Sequence, residues 1–258
     1  MVGNIIYYFS GTGNSLDVAK HIAEQLGDTR LISMSANPME IHRKSTNRVG
    51  FVYPVYYGGM PFIVERFIRR IHMTDNIYVF AVATGAHSAG NAIKQMNHLF
   101  NSMDYHLSYS AFIRSVDNNL LGEYQKQNIA KRIANSYVQL KEVIEAIRDM
   151  VVNQVGSMNP FTRIYHQIKL GRAIRWEQQF EISEACKHCG ICAKVCPVGN
   201  IELVDGKPLF HHHCEACMAC IQLCPMNAIN YKKCTIKKER YHHPNVEVEE
   251  LIQSNRYY

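Results

Sequence analysis

Apolar and polar positions along the first 155 residues switch repeatedly between two periods. Ile5 to Phe9 is a short continuous apolar run rich in β-branched and aromatic side chains, as a buried strand requires. Directly after it, Leu16, Val18, Ala19, Ile22, Ala23 and Leu26 recur at helical spacing. The same succession returns three times. A strand over Arg48 to Tyr53 precedes a helix over Pro61 to Ile71. A near-continuous apolar strand over Ile77 to Ala83 precedes a helix ending about Phe100. A strand over Leu107 to Arg114 precedes a long helix from Glu123 to about Val155. A weaker strand is predicted near Arg30 to Ser33. This β-α-β order predicts an α/β fold, a doubly wound parallel sheet whose strands are covered on both faces. No apolar run approaches the ~20 residues that span a bilayer.

The breaks between these elements fall on small residues. Ser10-Gly11-Thr12-Gly13-Asn14-Ser15 joins the first strand to the first helix. Such a loop presents backbone N–H groups and hydroxyls at a helix N-terminus, which is an anion site. Two other phosphate loops are excluded by what is missing. A P-loop closes in Gly-Lys-Ser/Thr, but no lysine occurs before Lys20. A dinucleotide loop has glycine at its third place, where this chain has Leu16, and no acidic residue closes the strand near Leu31 to Ser33. A phosphate here, charged about −1.5 to −2, would be held by amides, hydroxyls and the helix dipole alone. Two further loops follow strands: Pro54-Val55-Tyr56-Tyr57-Gly58-Gly59 and Thr84-Gly85-Ala86-His87-Ser88-Ala89-Gly90. All three therefore fall on the carboxyl edge of the sheet, where ligands of such sheets bind. Tyr56, Tyr57 and His87 suit a flat aromatic ligand there, or else cover the core and the loop surface. Ser115 to Asn119 ends the last strand and can line the same edge, although Asp and Asn are common in turns.

A different signal governs the last third. Cys186, Cys189, Cys192 and Cys196, followed by Pro197, repeat 28 residues later as Cys214, Cys217, Cys220 and Cys224, followed by Pro225. Each run reads C-x-x-C-x-x-C-x-x-x-C-P. Three thiolates two residues apart wrap a tight loop around three corners of a cubane, and the proline stops the helix that would otherwise continue. Zinc runs usually pair two cysteines and leave a long gap, and disulfides need an oxidising compartment. Between the runs, Ile201 to Val204 and Lys207 to Phe210 flank Asp205-Gly206, a hairpin signal. His211-His212-His213 reads as a solvated loop or as hydrogen bonding around the second run. Cys234 lies outside both runs and reads as a buried spare thiol.

Composition narrows the function classes. The 258 residues leave room for a second domain beside the cysteine segment, and a hydrophobic content of 47% is that of a globular chain. The net charge of +6 is spread along the chain. Its densest run, Lys232, Lys233, Lys237, Lys238 and Arg240, reads as a solvated tail, as a dock for an acidic redox partner, or as charge compensation. Nucleic acid is not an expected partner, since no aromatic-interleaved basic platform or reading helix is visible. Met1 leads almost directly into a strand-like run instead of a signal peptide, so nine cysteines imply reduced thiols and a cytoplasmic location.

Glu181 to Tyr231 resembles ferredoxins of the two-cluster type, in which the fourth cysteine of each run ligates the other cluster. That resemblance implies one 4Fe–4S cluster on Cys186, Cys189, Cys192 and Cys224, and a second on Cys214, Cys217, Cys220 and Cys196. The loop from Ser10 to Ser15 resembles the phosphate loop of flavodoxins. It implies FMN held by Ser10, Gly11, Thr12, Gly13, Asn14 and Ser15, by Pro54, Val55, Tyr56, Tyr57, Gly58 and Gly59, and by Thr84, Gly85, Ala86, His87 and Gly90. Nearly the whole chain is thus similar to the flavodoxin–ferredoxin fusion flavoproteins, also termed EFR-type ferredoxins. The organisation this implies is a flavodoxin-like FMN domain over 1–155, a linker over 156–180, a ferredoxin domain over 181–235 and a tail over 236–258. The linker, with Gly156, Pro160, Tyr165, Gly171, Arg172, Arg175 and Trp176, is expected to pack the domains together. The resemblance implies FMN, two 4Fe–4S clusters and electron transfer with an external redox protein. The alternative is an FMN-dependent reductase of a small molecule, fed by its own ferredoxin domain. No catalytic residue is identified, and the oligomeric state stays open.

Overall fold

The computed structural model describes residues 3–36, 40–41, 46–73, 77–121 and 127–255. The strands of the first half are β1 (Gly3–Tyr8), β2 (Thr29–Ser33), the two-residue β3 (Glu40–Ile41), β4 (Thr46–Pro54), the two-residue β5 (His72–Met73), β6 (Tyr78–Gly85) and β7 (Tyr109–Arg114). Five of them pair in parallel in the order β2-β1-β4-β6-β7, while β3 and β5 pair with each other. This is the doubly wound order whose direction reverses between β1 and β4, and a ligand crevice is expected beyond the strand ends there. The central strands read as unbroken apolar runs because both of their faces are covered: Phe51, Val52, Tyr53, Phe80, Ala81 and Val82 are fully buried.

Helices α1 (Asn14–Leu26), α2 (Phe62–Ile68), α3 (Ala92–Asn101) and α4 (Ile129–Arg148) cover the sheet. Each buries one stripe, in α1 through Leu16, Val18, Ala19 and Ile22. Asn128 caps α4 by accepting from the Lys131 N–H at 2.9 Å. The expected start of that helix at Glu123 lies outside the described residues. Its end comes at Arg148, short of the expected Val155, because the chain turns through a left-handed Met150 (φ 52°) and runs beside β7. There the Asn153 side chain accepts from the Ser110 N–H at 2.9 Å and donates to the Ser110 carbonyl at 2.8 Å, standing in for a strand partner at the sheet edge.

The segment over 156–180 is not a plain connector. Asn159 accepts from the Thr162 N–H at 3.1 Å and Pro160 occupies the first turn, so α5 (Pro160–Ala173) starts there. A short 3-10 helix over Trp176–Gln179 follows. The cysteine segment then adds β8 (Phe180–Ile182), α6 (Ile191–Lys194), β9 (Ile201–Val204), β10 (Lys207–Phe210), α7 (Ala219–Gln222) and β11 (Ile229–Tyr231). β9 and β10 form the expected hairpin, and β8 pairs antiparallel with β11. The 28-residue sequence repeat is also a repeat of backbone conformation. His188 and Ala216, Gly190 and Met218, and Gly199 and Asn227 all have φ between 49° and 75°. Four of these lie within the two cysteine runs and the other two just beyond them, where a tight loop needs left-handed residues whether or not glycine supplies them.

The chain end, α8 (Val248–Gln253) included, packs back onto the first half. The Tyr241 hydroxyl donates to Asn14 Oδ1 at 2.6 Å, the His243 N–H donates to the Thr12 carbonyl at 2.8 Å, and Val246, Leu251 and Ile252 join the main core. That core also takes in Val195, Cys217, Ala219 and Leu223 from the cysteine segment, so the two halves share one apolar interior. Cys234 is exposed, contrary to the expected buried thiol, because the chain leaves the β8–β11 pair at Tyr231 and turns outward. Among the described residues no helix is long and apolar enough to cross a membrane.

Candidate functional site

Beyond the carboxyl ends of β1, β4, β6 and β7 lies a cleft of about 380 Å³, within the usual size of a small-molecule or cofactor site. Of the loop residues predicted from sequence, Ser10, Gly11, Thr12, Asn14, Ser15, Pro54, Val55, Tyr56, Tyr57, Gly58, Thr84, Gly85, Ala86 and His87 line it. Gly13, Gly59 and Gly90 do not. Each stands behind a lining loop at a point where another segment presses close: Gly13 against His243 and Val246, Gly59 against His166, and Gly90 against Gly58.

The first loop is held by its own polar groups. The Gly13 N–H donates to Ser10 Oγ at 3.1 Å, Ser15 Oγ meets Thr84 Oγ1 at 2.8 Å, and Asn118 Nδ2 donates to Thr12 Oγ1 at 2.7 Å. The first intrahelical bond of α1 runs from the Asp17 N–H to the Gly13 carbonyl at 2.8 Å, and no side chain caps the helix. The amides of Asn14 and Ser15 therefore precede the helical ladder, at its positive end. Among the described residues no Lys or Arg lines the cleft. The cations stand one step back, where Arg132 Nη1 donates to the Ala86 carbonyl at 2.9 Å and the Ser115 carbonyl at 3.3 Å, and Arg114 Nη2 donates to the His87 carbonyl at 3.0 Å. His87 is a rim residue, largely exposed, with Nε2 3.8 Å from Asp117 Oδ2. Ser115 to Asn119 all line the cleft.

Three lining residues belong to no loop of the sheet: Tyr165 from α5, and Ala216 and Met218 from the second cysteine run. Ala216 and Met218 also line a second cavity, ringed by Cys196, Cys214, Cys217 and Cys220. They form a wall with the cleft on one side and four cysteines on the other. The contact continues at Gly11, where a Cβ would come within 2.5 Å of the Cys217 carbonyl oxygen and 3.3 Å of the Tyr56 hydroxyl. That hydroxyl is buried and has no hydrogen-bond partner among the described residues. Glu215 fastens the same loop to the first half. Its carboxylate accepts from the Ile63 N–H at 2.9 Å and pairs with Arg66, while burial pushes its pKa up against that pairing.

A third cavity is ringed by Cys186, Cys189, Cys192 and Cys224. Each set of four thus combines three cysteines of one run with the last cysteine of the other. Among the described residues no three His, Cys, Asp or Glu side chains converge as they would on a single metal ion. The four cysteines of each set instead surround a cavity. Burial pushes the thiol of Cys192 up to about 11 and that of Cys214 up to about 12, with neighbouring cysteines adding to both. Backbone amides favour the thiolates of Cys196 and Cys214, with the Asn200 and Ala216 N–H groups donating to their Sγ atoms at 3.2 and 3.3 Å, and the Ala228 N–H donates to Cys224 Sγ at 3.3 Å. Thiols pushed this high bind a positively charged group only by releasing protons. The His211–His213 run ties the hairpin down. His212 Nδ1 lies 2.8 Å from Glu177 Oε1, and the His213 N–H donates to Asn200 Oδ1 at 2.7 Å.

His166 fixes α5 to the cleft. Its ring is buried against Gly59, and Nδ1 lies 2.9 Å from the Tyr56 carbonyl. Burial holds its pKa below the ordinary value, with the hydrogen bond to Tyr56 acting the other way. A lowered folded value means the unfolded chain binds the proton more tightly. The stabilisation is therefore present above the unfolded value of about 6.5 and is lost as pH falls through the lower folded value. Melting temperature is expected to drop over that window, and His166→Gln is expected to flatten the dependence. An unchanged slope in the variant would remove His166 from this role.

A family model of the flavodoxin domain matches residues 5–136, just over half of the chain. A model of the 4Fe-4S binding domain matches residues 181–202, which hold the first cysteine run. Among solved structures, the chain is similar to an FMN-dependent NADH-azoreductase from Bacillus anthracis in complex with FMN, at 12% identity over 57% of this chain and 100% of that one, with a TM-score of 0.41. It is also similar to an NAD(P)H:quinone oxidoreductase from Methanothermobacter marburgensis, at 8% identity over 60% of this chain and 100% of that one, with a TM-score of 0.38. No curated protein sequence matches the chain.

Proposed function

The chain belongs to the flavodoxin domain family and carries a 4Fe-4S binding domain behind it, and from that premise we propose that it is an electron carrier joining one FMN to two 4Fe–4S clusters and an external redox protein. Bound FMN exchanges one or two electrons, and each cluster exchanges one. The observation that carries the reading is the shared wall: Ala216 and Met218 line both the cleft and the cavity of Cys196, Cys214, Cys217 and Cys220.

The residues present suit these groups. The phosphate of FMN is assigned to Ser10, Thr12 and Ser15 with the amides of Asn14 and Ser15, a cradle with hydroxyls and a helix N-terminus but, among the described residues, no cation. Tyr56, Tyr57, Gly85, Ala86 and His87, with Ser115 to Asn119, are assigned to the ring. Cys186, Cys189, Cys192 and Cys224 are assigned to one cluster, and Cys196, Cys214, Cys217 and Cys220 to the other. The domain division follows, with FMN on 1–155 and both clusters on 181–235. The tail is assigned a supporting part, since Tyr241 and His243 hold the first loop from behind.

The alternative, a reductase of a small molecule, draws support from Tyr56, His87 and Asn119 lining one open cleft. One experiment separates the two. The holoprotein is reduced anaerobically and mixed in turn with protein acceptors and with small-molecule acceptors such as quinones. Rapid oxidation by a protein acceptor alone is the expected result. Sustained turnover of a small molecule would make the chain an enzyme.

A further inference from the structure

We propose that the outward face of α5 is the docking surface for a small acidic protein carrying a one-electron centre, an inference that rests on the electron-transfer reading above. The helix is apolar on two opposite faces. His166, Leu170 and Ala173 are buried against the rest of the chain. Phe161, Ile164, Tyr165 and Ile168 follow one another at spacings of three, one and three residues, which puts them on a single stripe of a helix with 3.6 residues per turn. They are 81%, 55%, 51% and 49% exposed. An isolated exposed apolar residue needs no explanation, but a stripe of four large ones marks an interaction surface.

Charge identifies the occupant. α5 contains no Asp or Glu, while Lys169 and Arg172 flank the stripe. The Lys169 ammonium lies 5.7 Å from the centre of the Tyr165 ring, so an aromatic and a cation form one contact patch. A second copy meeting this face about a two-fold axis would bring the same basic groups against themselves. An acidic partner meets them with opposite charge, which speeds encounter and fixes orientation. Position supports the same occupant. Tyr165 lines the flavin cleft and Ala173 lines the cavity of Cys196, Cys214, Cys217 and Cys220. A protein seated along the helix is therefore adjacent to both proposed cofactor sites. One electron then passes from the partner's reduced centre, which is oxidised, to the cofactors of this chain, which are reduced.

The test uses a reduced, acidic two-cluster ferredoxin as probe, mixed anaerobically with the oxidised holoprotein while flavin absorbance is followed. The bimolecular rate constant of the wild type is expected to fall with added salt. The charge reversal Lys169→Glu with Arg172→Glu is expected to lower it by about tenfold or more at low ionic strength. Ile164→Ser with Ile168→Ser is expected to lower it severalfold while keeping the salt dependence. Reduction by dithionite, flavin content and iron content should be unchanged in all variants. An unchanged rate after charge reversal would overturn the proposal. So would a wild-type dimer that Ile164→Asp dissociates, or wild-type binding to anionic phospholipid vesicles that the charge reversal abolishes. If instead the wild type holds no flavin, or dithionite electrons never reach it, the electron-transfer reading itself has failed, independently of α5.

Discussion

Gly13→Leu is expected to release FMN while the iron–sulfur absorbance survives. Gly13 precedes α1 in a left-handed conformation, with φ at 99°. A side chain there carries a backbone cost of roughly 1–2 kcal/mol. It also collides, since a Cβ would lie 2.9 Å from His243 Cβ and 3.0 Å from Val246 Cβ. Relief requires the loop to move into the cleft or the C-terminal segment to move away. The second movement breaks the His243 N–H bond to the Thr12 carbonyl, so either route disturbs the proposed phosphate cradle. A rise in the FMN dissociation constant of about a hundredfold, equivalent to roughly 2.7 kcal/mol, is the expected size, read from fluorescence of released flavin. Iron content should hold, because the atoms nearest a side chain at Gly13 belong to His243 and Val246 of the chain end. Gly11 is the contrasting position, lying against the backbone of Cys217, and Gly11→Val should disturb both chromophores. Loss of both chromophores from Gly13→Leu would show that the two halves do not hold their cofactors independently.

Cys196→Ala is expected to damage the cluster held by Cys214, Cys217 and Cys220, not the one nearest to it in sequence. Cys196 lies beyond α6, its Sγ accepts from the Asn200 N–H at 3.2 Å, and it lines the cavity of the later run. Cys224 occupies the corresponding place in the cavity of Cys186, Cys189 and Cys192. Each single substitution should remove about half of the iron. The two variants should differ in which EPR signal persists. The Cys196 variant should also slow reduction of the flavin, since it strikes the cavity that shares a wall with the cleft. Were Cys196→Ala to abolish the same EPR signal as Cys186→Ala, the crossed assignment would fall.

The strands and most helices were legible because burial on both faces leaves unbroken apolar runs such as Ile77 to Ala83, and a glycine-rich break after a strand marks a ligand edge. What stayed hidden depends on distant parts of the chain meeting. Ala216 and Met218 look like spacers between cysteines, and nothing local says that their other side faces the cleft at the sheet's edge. Glu215 reads as a surface acid, yet it is buried between α2 and the cysteine loop. Arg132 and Arg114 act through carbonyl oxygens of loops that sequence cannot bring to them. The helix α5 could have been found, since Asn159-Pro160 is a cap followed by a first-turn proline. Its stripe at Phe161, Ile164, Tyr165 and Ile168 resembles a core face, and only the fold reveals that the opposite face is the buried one. The capping box of α8 pairs Glu247 with Glu250 instead of a Ser or Thr cap, which concealed that the chain end packs behind the first loop.

The central claim is that electrons cross within one chain, through the wall of Ala216 and Met218, between the later cysteine cavity and the flavin cleft. Anaerobic rapid-mixing measurements on the reconstituted holoprotein, with flavin absorbance and cluster EPR followed together after a substoichiometric pulse of reductant, test it most directly. The account predicts that electrons arriving at the clusters reappear on the flavin in a first-order phase whose rate does not change with protein concentration. A rate proportional to protein concentration, or iron-loaded protein that never retains FMN, would contradict it.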